Sequence, residues 1–227
     1  MAQIVSPCMH LRDHTVSQLA PLETIGLEVT AFTHAQSCLA VATLVQAFAE
    51  DPVAVHLFTD PEKRKTGMAH IFRMGLRYGQ KYGRVDVINS AGAVAVWIRP
   101  EYTTPSWVRL LRSGFLATPF TVGWVATRRM LMFEHFIEAC RARSLGVPHW
   151  YLFCIGVRPE LQGQGLGAAL LRHGLNRAQA AGVPCYLETA NARNLHFYMK
   201  HGFRVMGEEQ LPRNGPGVWS MVAGNDP

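Results

Sequence analysis

The spacing of apolar residues changes period several times along the chain, and each change marks an element. Residues 38–50 carry apolar side chains at helical spacing and stop at Asp51–Pro52, which predicts a first long helix. Residues 61–81 predict a second, with Pro61 at its start and Gly83 just past its end. The stretch 26–32 alternates and leads into Thr33, His34, Ala35 and Gln36, a first strand followed by a helix cap. Residues 84–88 and 91–98 read as a hairpin turning at 89–91. Residues 105–142 are aromatic-rich and mainly helical, with a break expected at Pro119. The apolar run 151–157 predicts a strand, 166–181 a helix, Gly182–Pro184 a turn, and 185–189 a short strand. Residues 203–208 and 218–222 read as the final strands. Residues 1–25 show little periodicity and read as a poorly ordered or loosely packed extension. No repeat or linker divides the remainder, so 26–227 is expected to form one mixed α/β domain.

The segment after residues 151–157 carries the chemistry. The strand ends at Pro159, and Gly163, Gly165 and Gly167 then lead into the helical run from Ala168. Strand, glycine loop and helix N-terminus together offer backbone N–H groups and a positive dipole end to a phosphate. Three readings compete. A Walker A loop needs Gly-Lys-Ser/Thr, and Gly167-Ala168-Ala169 lacks the lysine. A dinucleotide fingerprint fits Gly163, Gly165 and Ala168, with Glu188 twenty residues on, but the loop falls in the last third of the chain. A glycine-rich turn without a ligand is the third.

The loop and the residues on its C-terminal side, taken together, separate these readings. Val157, Pro159, Gln162, Gly163, Gly165 and Gly167 stand in a pattern that resembles the acetyl-CoA loop of the GNAT N-acetyltransferase superfamily. That family's second signature, an Asn, then a Tyr, then Gly-Phe, is matched by Asn191 or Asn194, Tyr198, Gly202 and Phe203. The ordered series from His149 to Phe203 is most similar to the branch containing puromycin N-acetyltransferase. The resemblance is close over 147–208 and loose over 100–146. It implies a mixed, mostly antiparallel central sheet with helices on both faces. It also implies an acetyl-CoA-binding core at 149–208 and a mainly helical acceptor-side segment at 100–148.

The resemblance further implies acetyl transfer from acetyl-CoA to a primary amine, with a small molecule favoured over a protein, by direct attack in a ternary complex. The residues it assigns to the cosubstrate are Ile155, Val157, Gln162, Gly163, Gln164, Gly165, Leu166, Gly167, Ala168, Asn191, Asn194 and Tyr198. Tyr198 matches the family's general acid beside the thioester sulfur. The Arg193-Asn194-Leu195 context selects Asn194 over Asn191. Most amines are protonated at neutral pH, so a carboxylate must accept a proton; Glu188 is the leading candidate, with Glu50 and Asp51 as alternatives. His196 and His201 flank the tyrosine and match no family position. Trp97, Trp107, Phe115, Phe120, Trp124 and Trp150 are candidate acceptor walls, of which one or two are expected in a pocket, and their number suggests an acceptor with an apolar part. The competing class is a degenerate GNAT fold that binds CoA, or nothing, and acts through a partner. The intact glycines, Gln162, Asn194 and Tyr198 argue against it.

Composition narrows the picture little further. The 227 residues are 48% hydrophobic, ample for a core. No apolar run reaches the roughly 18–20 residues of a membrane span, and the N-terminus lacks the pattern of a secretory signal. Cytoplasm is the expected location, with no membrane partner. The five cysteines lack a C-x-x-C pair, so no metal is expected and all are read as reduced thiols. The net charge of +6 is dispersed rather than clustered, which speaks against nucleic acid and suits an anionic CoA. The pattern leaves room for a homodimer.

Overall fold

In a computed structural model, which describes residues 27–224, seven strands form one sheet. The strands are β1 (Thr30–Ala31), β2 (Gly83–Ile88), β3 (Ala93–Ile98), β4 (Trp150–Val157), β5 (Cys185–Thr189), β6 (Arg204–Gln210) and β7 (Gly217–Ala223). Their order is β1-β2-β3-β4-β5-β7-β6, and only the β4–β5 pair is parallel. The helices are α1 (Ser37–Ala47), α2 (Pro52–Leu57), α3 (Pro61–Tyr82), α4 (Trp107–Ser113), α5 (Thr118–Ser144), α6 (Leu166–Ala180) and α7 (Leu195–Lys200). This is the mixed, mostly antiparallel sheet with flanking helices that the sequence led us to expect. It excludes the doubly wound parallel sheet of the dinucleotide reading. The expectation for residues 1–25 lies outside the described residues.

Local chemistry explains most boundaries. Asp51 and Asp60 each cap a helix by accepting from the two amides that open it, and a proline follows each cap. The β2–β3 hairpin turns on Asn89, Ser90 and Ala91, all at positive φ, where the expected turn lay. The expected break at Pro119 is a correction: Pro119 sits in the first turn of α5, where a missing N–H costs nothing. The breaks fall at two glycines instead. Gly114 ends α4 in the left-handed region, and Gly123 interrupts α5 with φ 81° and ψ 161°. The expected helix 38–50 is likewise cut at Ala47, and the short α2 comes after it.

Two apolar layers clamp the sheet. Leu44, Phe72 and Leu76 from α1 and α3 pack on one face with Val94 and Val96. Leu170, Leu171 and Ala178 of α6 pack on the other with Trp97, Leu152 and Leu187. The Asp86 carboxylate on β2, whose two oxygens accept from Arg177 Nη2 at 3.0 and 2.9 Å, ties α6 to the sheet. Cys140, Cys154 and Cys185 are free and buried, whereas Cys38 is disulfide-bonded, a departure from the expected reduced thiol.

β4 carries the feature that makes room for a site. Val96 pairs with Cys154 but Trp97 pairs with Leu152, so Phe153 is an extra residue on β4. Such a bulge bends its strand and reverses which side chains face which layer. Trp150 and Leu152 face the α6 layer before it, and Ile155 and Val157 do so after it. The parallel β4–β5 ladder consists of Trp150–Cys185 and Tyr151–Tyr186 alone. Beyond Tyr151 the two strands part.

The tightest helix–sheet contact tests this packing. A Cβ at Gly174 would lie 2.0 Å from Trp97 Cζ2. Gly174→Ala is therefore expected to destabilise the fold by about 1–3 kcal/mol through overpacking. Urea denaturation measures it, and unchanged stability would show that α6 can shift freely.

Candidate active site

The glycine loop begins where β4 ends. Gln162 Nε2 donates to Val157 O at 3.0 Å and folds the loop back onto the strand. Gln164 Nε2 donates to Glu160 O at 3.3 Å. Gly163 and Gly165 have φ of +77° and +81°, conformations that side chains strongly disfavour, and nothing lies within 4 Å of a Cβ built on either. Gly165 caps α6, whose first turn bonds Ala169 N to Gly165 O at 3.0 Å. The amides of Leu166, Gly167 and Ala168 precede that bond at the positive end of a 15-residue helix. Open space over two glycines and a fan of amides fit a pyrophosphate. Leu166 can contribute only its backbone, since its side chain is core.

Asn194 and Tyr198 approach from the β5 side. Both line a cavity of about 300 Å³ that includes Cys154 and Ile155 of β4 on one wall and Leu187, Glu188 and Thr189 of β5 on the other. Asn191, by contrast, is used locally: its side chain accepts from Arg193 N at 3.1 Å and caps the turn before α7. Tyr198 is nearly buried, edge-on to Phe197 and Phe203. Burial, then Cys154 and Asp51 beside it, push its hydroxyl well above the usual phenol range, so it stays protonated. His196 is exposed, and His201 bonds Phe197 O at 2.8 Å through Nδ1. Neither is among the residues that line the cavity.

The candidate carboxylates separate clearly. Glu50 is 91% exposed and lies 3.9 Å from Arg64, outside the cavity. Asp51 lines the cavity while capping α2, and burial raises its pKa against two backbone hydrogen bonds. Glu188 also lines it and is half-buried, with Oε1 shielded from solvent and lacking a hydrogen-bond partner among the described residues. Burial pushes Glu188 up to about 7, opposed first by Arg141 and then by the Tyr151 and Tyr186 hydroxyls.

Sequence reasoning missed the setting of Glu188. Arg141 of α5 is buried, with its guanidinium 4.9 Å from the Tyr151 ring centre. Glu134, one face of α5 away, also lines the cavity, and burial raises its pKa. Glu134, Ile137 and Arg141 recur at three and seven residues, one helical stripe. That stripe was the available signal, hidden inside a segment read only as aromatic and helical.

One or two of the six aromatic candidates were expected in a pocket, and one is there. Only Phe115 of the six candidates lines the cavity. Trp97 and Trp150 are core on the α6 side of the sheet. Trp107, Phe120 and Trp124 are 63%, 86% and 74% exposed, because the Gly114 and Gly123 breaks turn their faces outward. The cavity is instead walled by aliphatic and aromatic residues of α3 and α5, among them Met68, Ile71, Phe72, Met130 and Phe133.

Comparison with known proteins agrees with this geometry. A model of the Acetyltransferase (GNAT) family matches residues 92–203. The chain is similar to an uncharacterised N-acetyltransferase of Schizosaccharomyces pombe, 28% identical over 187 residues covering 79% of this chain and 75% of that one. A shorter likeness, 36% identical over 67 residues, links it to the mycothiol acetyltransferase of Propionibacterium freudenreichii; it covers 28% of this chain and 22% of the relative. Among solved structures, a histone acetyltransferase and related acetyltransferase of Corynebacterium glutamicum superposes with TM-score 0.64 at 24% identity, covering 88% of this chain and 97% of that one. A mosquito arylalkylamine N-acetyltransferase-like protein superposes with TM-score 0.50 at 11% identity, covering 86% and 98%. At these identities the two structures establish the fold.

The burial of Glu188 has a measurable consequence. A carboxyl raised from 4.5 to about 7 stabilises the fold fully below 4.5, and that contribution is lost as pH rises through 7. At 1.36 kcal/mol per unit the loss is roughly 2–4 kcal/mol. Glu188→Gln, which keeps the shape without the charge, is expected to flatten the fall in stability between pH 5 and 8 seen by urea denaturation. Parallel pH profiles would show that Glu188 is not enclosed.

Proposed function

From the GNAT acetyltransferase family, which the match over 92–203 and the solved structures support, we propose that this chain moves an acetyl group from acetyl-CoA to the primary amine of a small molecule. On this reading transfer is by direct attack in a ternary complex, in an enzyme of the puromycin N-acetyltransferase-like branch that the sequence motifs resemble. The observation that carries this reading is one cavity, between the parted ends of β4 and β5, holding both a protonated tyrosine and a carboxyl that titrates near neutrality. The reading places acetyl-CoA binding in 149–208 and acceptor recognition largely in 100–148. Leu110, Phe115, Met130 and Glu134 of the latter segment support this by lining the same cavity. It goes with a cytoplasmic enzyme and with no nucleic-acid or membrane partner.

Acetyl-CoA supplies the acetyl group already activated as a thioester. The amides at the start of α6 and the backbone of Gly163 and Gly165 bind its pyrophosphate, and the unpaired β4 edge at Ile155 and Val157 lies alongside its amide-bearing arm. Glu188 takes the proton from the acceptor ammonium; a group near 7 is partly proton-free at neutral pH and still basic enough to accept. Tyr198 holds its proton at Oη, available to a thiolate leaving group or as a hydrogen bond to it. The apolar walls keep water from competing with the amine.

Free-thiol release from acetyl-CoA across a panel of amines tests the reading; no release with any amine, from protein that binds CoA, would overturn it. Two variants divide the roles. Gly165→Asp puts bulk and negative charge in the open space over the loop, and calorimetry is expected to show CoA binding weakened by tenfold or more in a folded protein. Tyr198→Phe is expected to lower kcat by about 10²–10⁴-fold with CoA affinity within threefold. A kcat loss under threefold would reduce Tyr198 to a packing role.

A further inference from the structure

We propose that the acceptor is a lipophilic monoamine: a single ammonium carried on an alkyl or aryl body, held by Glu134 and Glu188 in the cavity that both line. This deepens the transferase reading of the same cavity and rests on it. Three observations converge. Every charged side chain lining the cavity is acidic, namely Asp51, Glu134 and Glu188, in a protein whose net charge is +6. A cavity with this sign attracts a cation and rejects an anion. Glu188 Oε1 is shielded from solvent and unpartnered among the described residues, an arrangement costly without a ligand donor to satisfy it.

The remaining wall is mostly apolar, and of its hydroxyls those of Tyr78, Thr103 and Ser113 are already spent on backbone carbonyls. Ile71, Phe72, Met130 and Phe133 face it, and among the described residues no Asn, Gln, Lys or Arg side chain lines it except Asn194 near Tyr198. A sugar, a polyamine or a peptide would leave hydroxyls, a second ammonium or amides unpaired against such walls. An alkyl or aryl body would instead gain by leaving water. Arg141 shares a helical stripe with Glu134, lowers the Glu188 pKa electrostatically, and is not among the residues that line the cavity. It balances part of the paired negative charge without occupying the ammonium's place.

Full-length protein is assayed with n-alkylamines from ethylamine to octylamine, with phenethylamine, and with glucosamine, spermidine and a lysine-containing peptide. Two readouts are taken: thiol release from acetyl-CoA, and calorimetric binding of octylamine, octanol and octanoate in the absence of acetyl-CoA. The kcat/KM is expected to rise about fourfold per methylene until the cavity fills. Octylamine is expected to bind at least tenfold more tightly than octanol, and octanoate not to bind. Glu134→Gln is expected to weaken octylamine binding about fivefold or more. Ile71→Trp, which fills the apolar wall, is expected to cut kcat/KM for octylamine at least tenfold.

A flat chain-length series, octanol binding as well as octylamine, or glucosamine or spermidine turning over best would each overturn the inference while leaving an acetyltransferase. Octylamine binding with the expected selectivity, but no thiol release with any amine, would uphold the ligand class and overturn the transferase reading. The wild-type series decides the matter even if a variant fails to fold.

Discussion

The fold turns on the early end of hydrogen bonding between β4 and β5. Two parallel pairs hold the strands together at Trp150 and Tyr151, and the bulge at Phe153 then bends β4 away. A sheet interior left unpaired would ordinarily be a liability, because each exposed backbone N–H and C=O needs a partner. Here the gap opens onto the cavity, the glycine loop leads directly from the far end of β4, and α7 brings Tyr198 to its β5 side. One extra residue in one strand therefore creates the slot and re-aims the side chains around it.

Burial then does the electrostatic work. Glu188 would be an ordinary carboxylate on a surface strand; enclosed between β5 and α5, it moves to about 7. Arg141 limits that rise without cancelling it, because desolvation outweighs its attraction. Tyr198 moves in the same direction for the same reason and remains a proton donor. Both groups therefore hold their protons more firmly than in water, with no metal-type cluster of ligands among the described residues.

Much of this was legible in the sequence where the constraint is local. The Asp51-Pro52 and Asp60-Pro61 pairs, the turn at Asn89–Ala91, and the glycine loop with its helix all arise from backbone chemistry within a few residues. The loop's backbone conformation is demanding enough that Gly163 and Gly165 announce it directly. Misplaced boundaries came from weighing proline above glycine in 105–142. Pro119 fits a first turn, whereas Gly114 and Gly123 adopt angles that end or kink a helix.

The sequence by itself determined the order of elements, the anion cradle and the candidacy of Tyr198, Asn194 and Glu188, because each rests on short-range spacing. Only the tertiary structure decided which carboxylate is enclosed: Glu50 and Asp51 are neighbours in the chain, yet one is in solvent and the other lines the cavity. It also decided which aromatics serve as walls, turning Trp107, Phe120 and Trp124 outward and Phe115 inward. Glu134 and Glu188, more than fifty residues apart, come to line one cavity only through the packing of α5 on the sheet. Burial and long-range contact depend on how layers pack, and no local pattern of residue types encodes that.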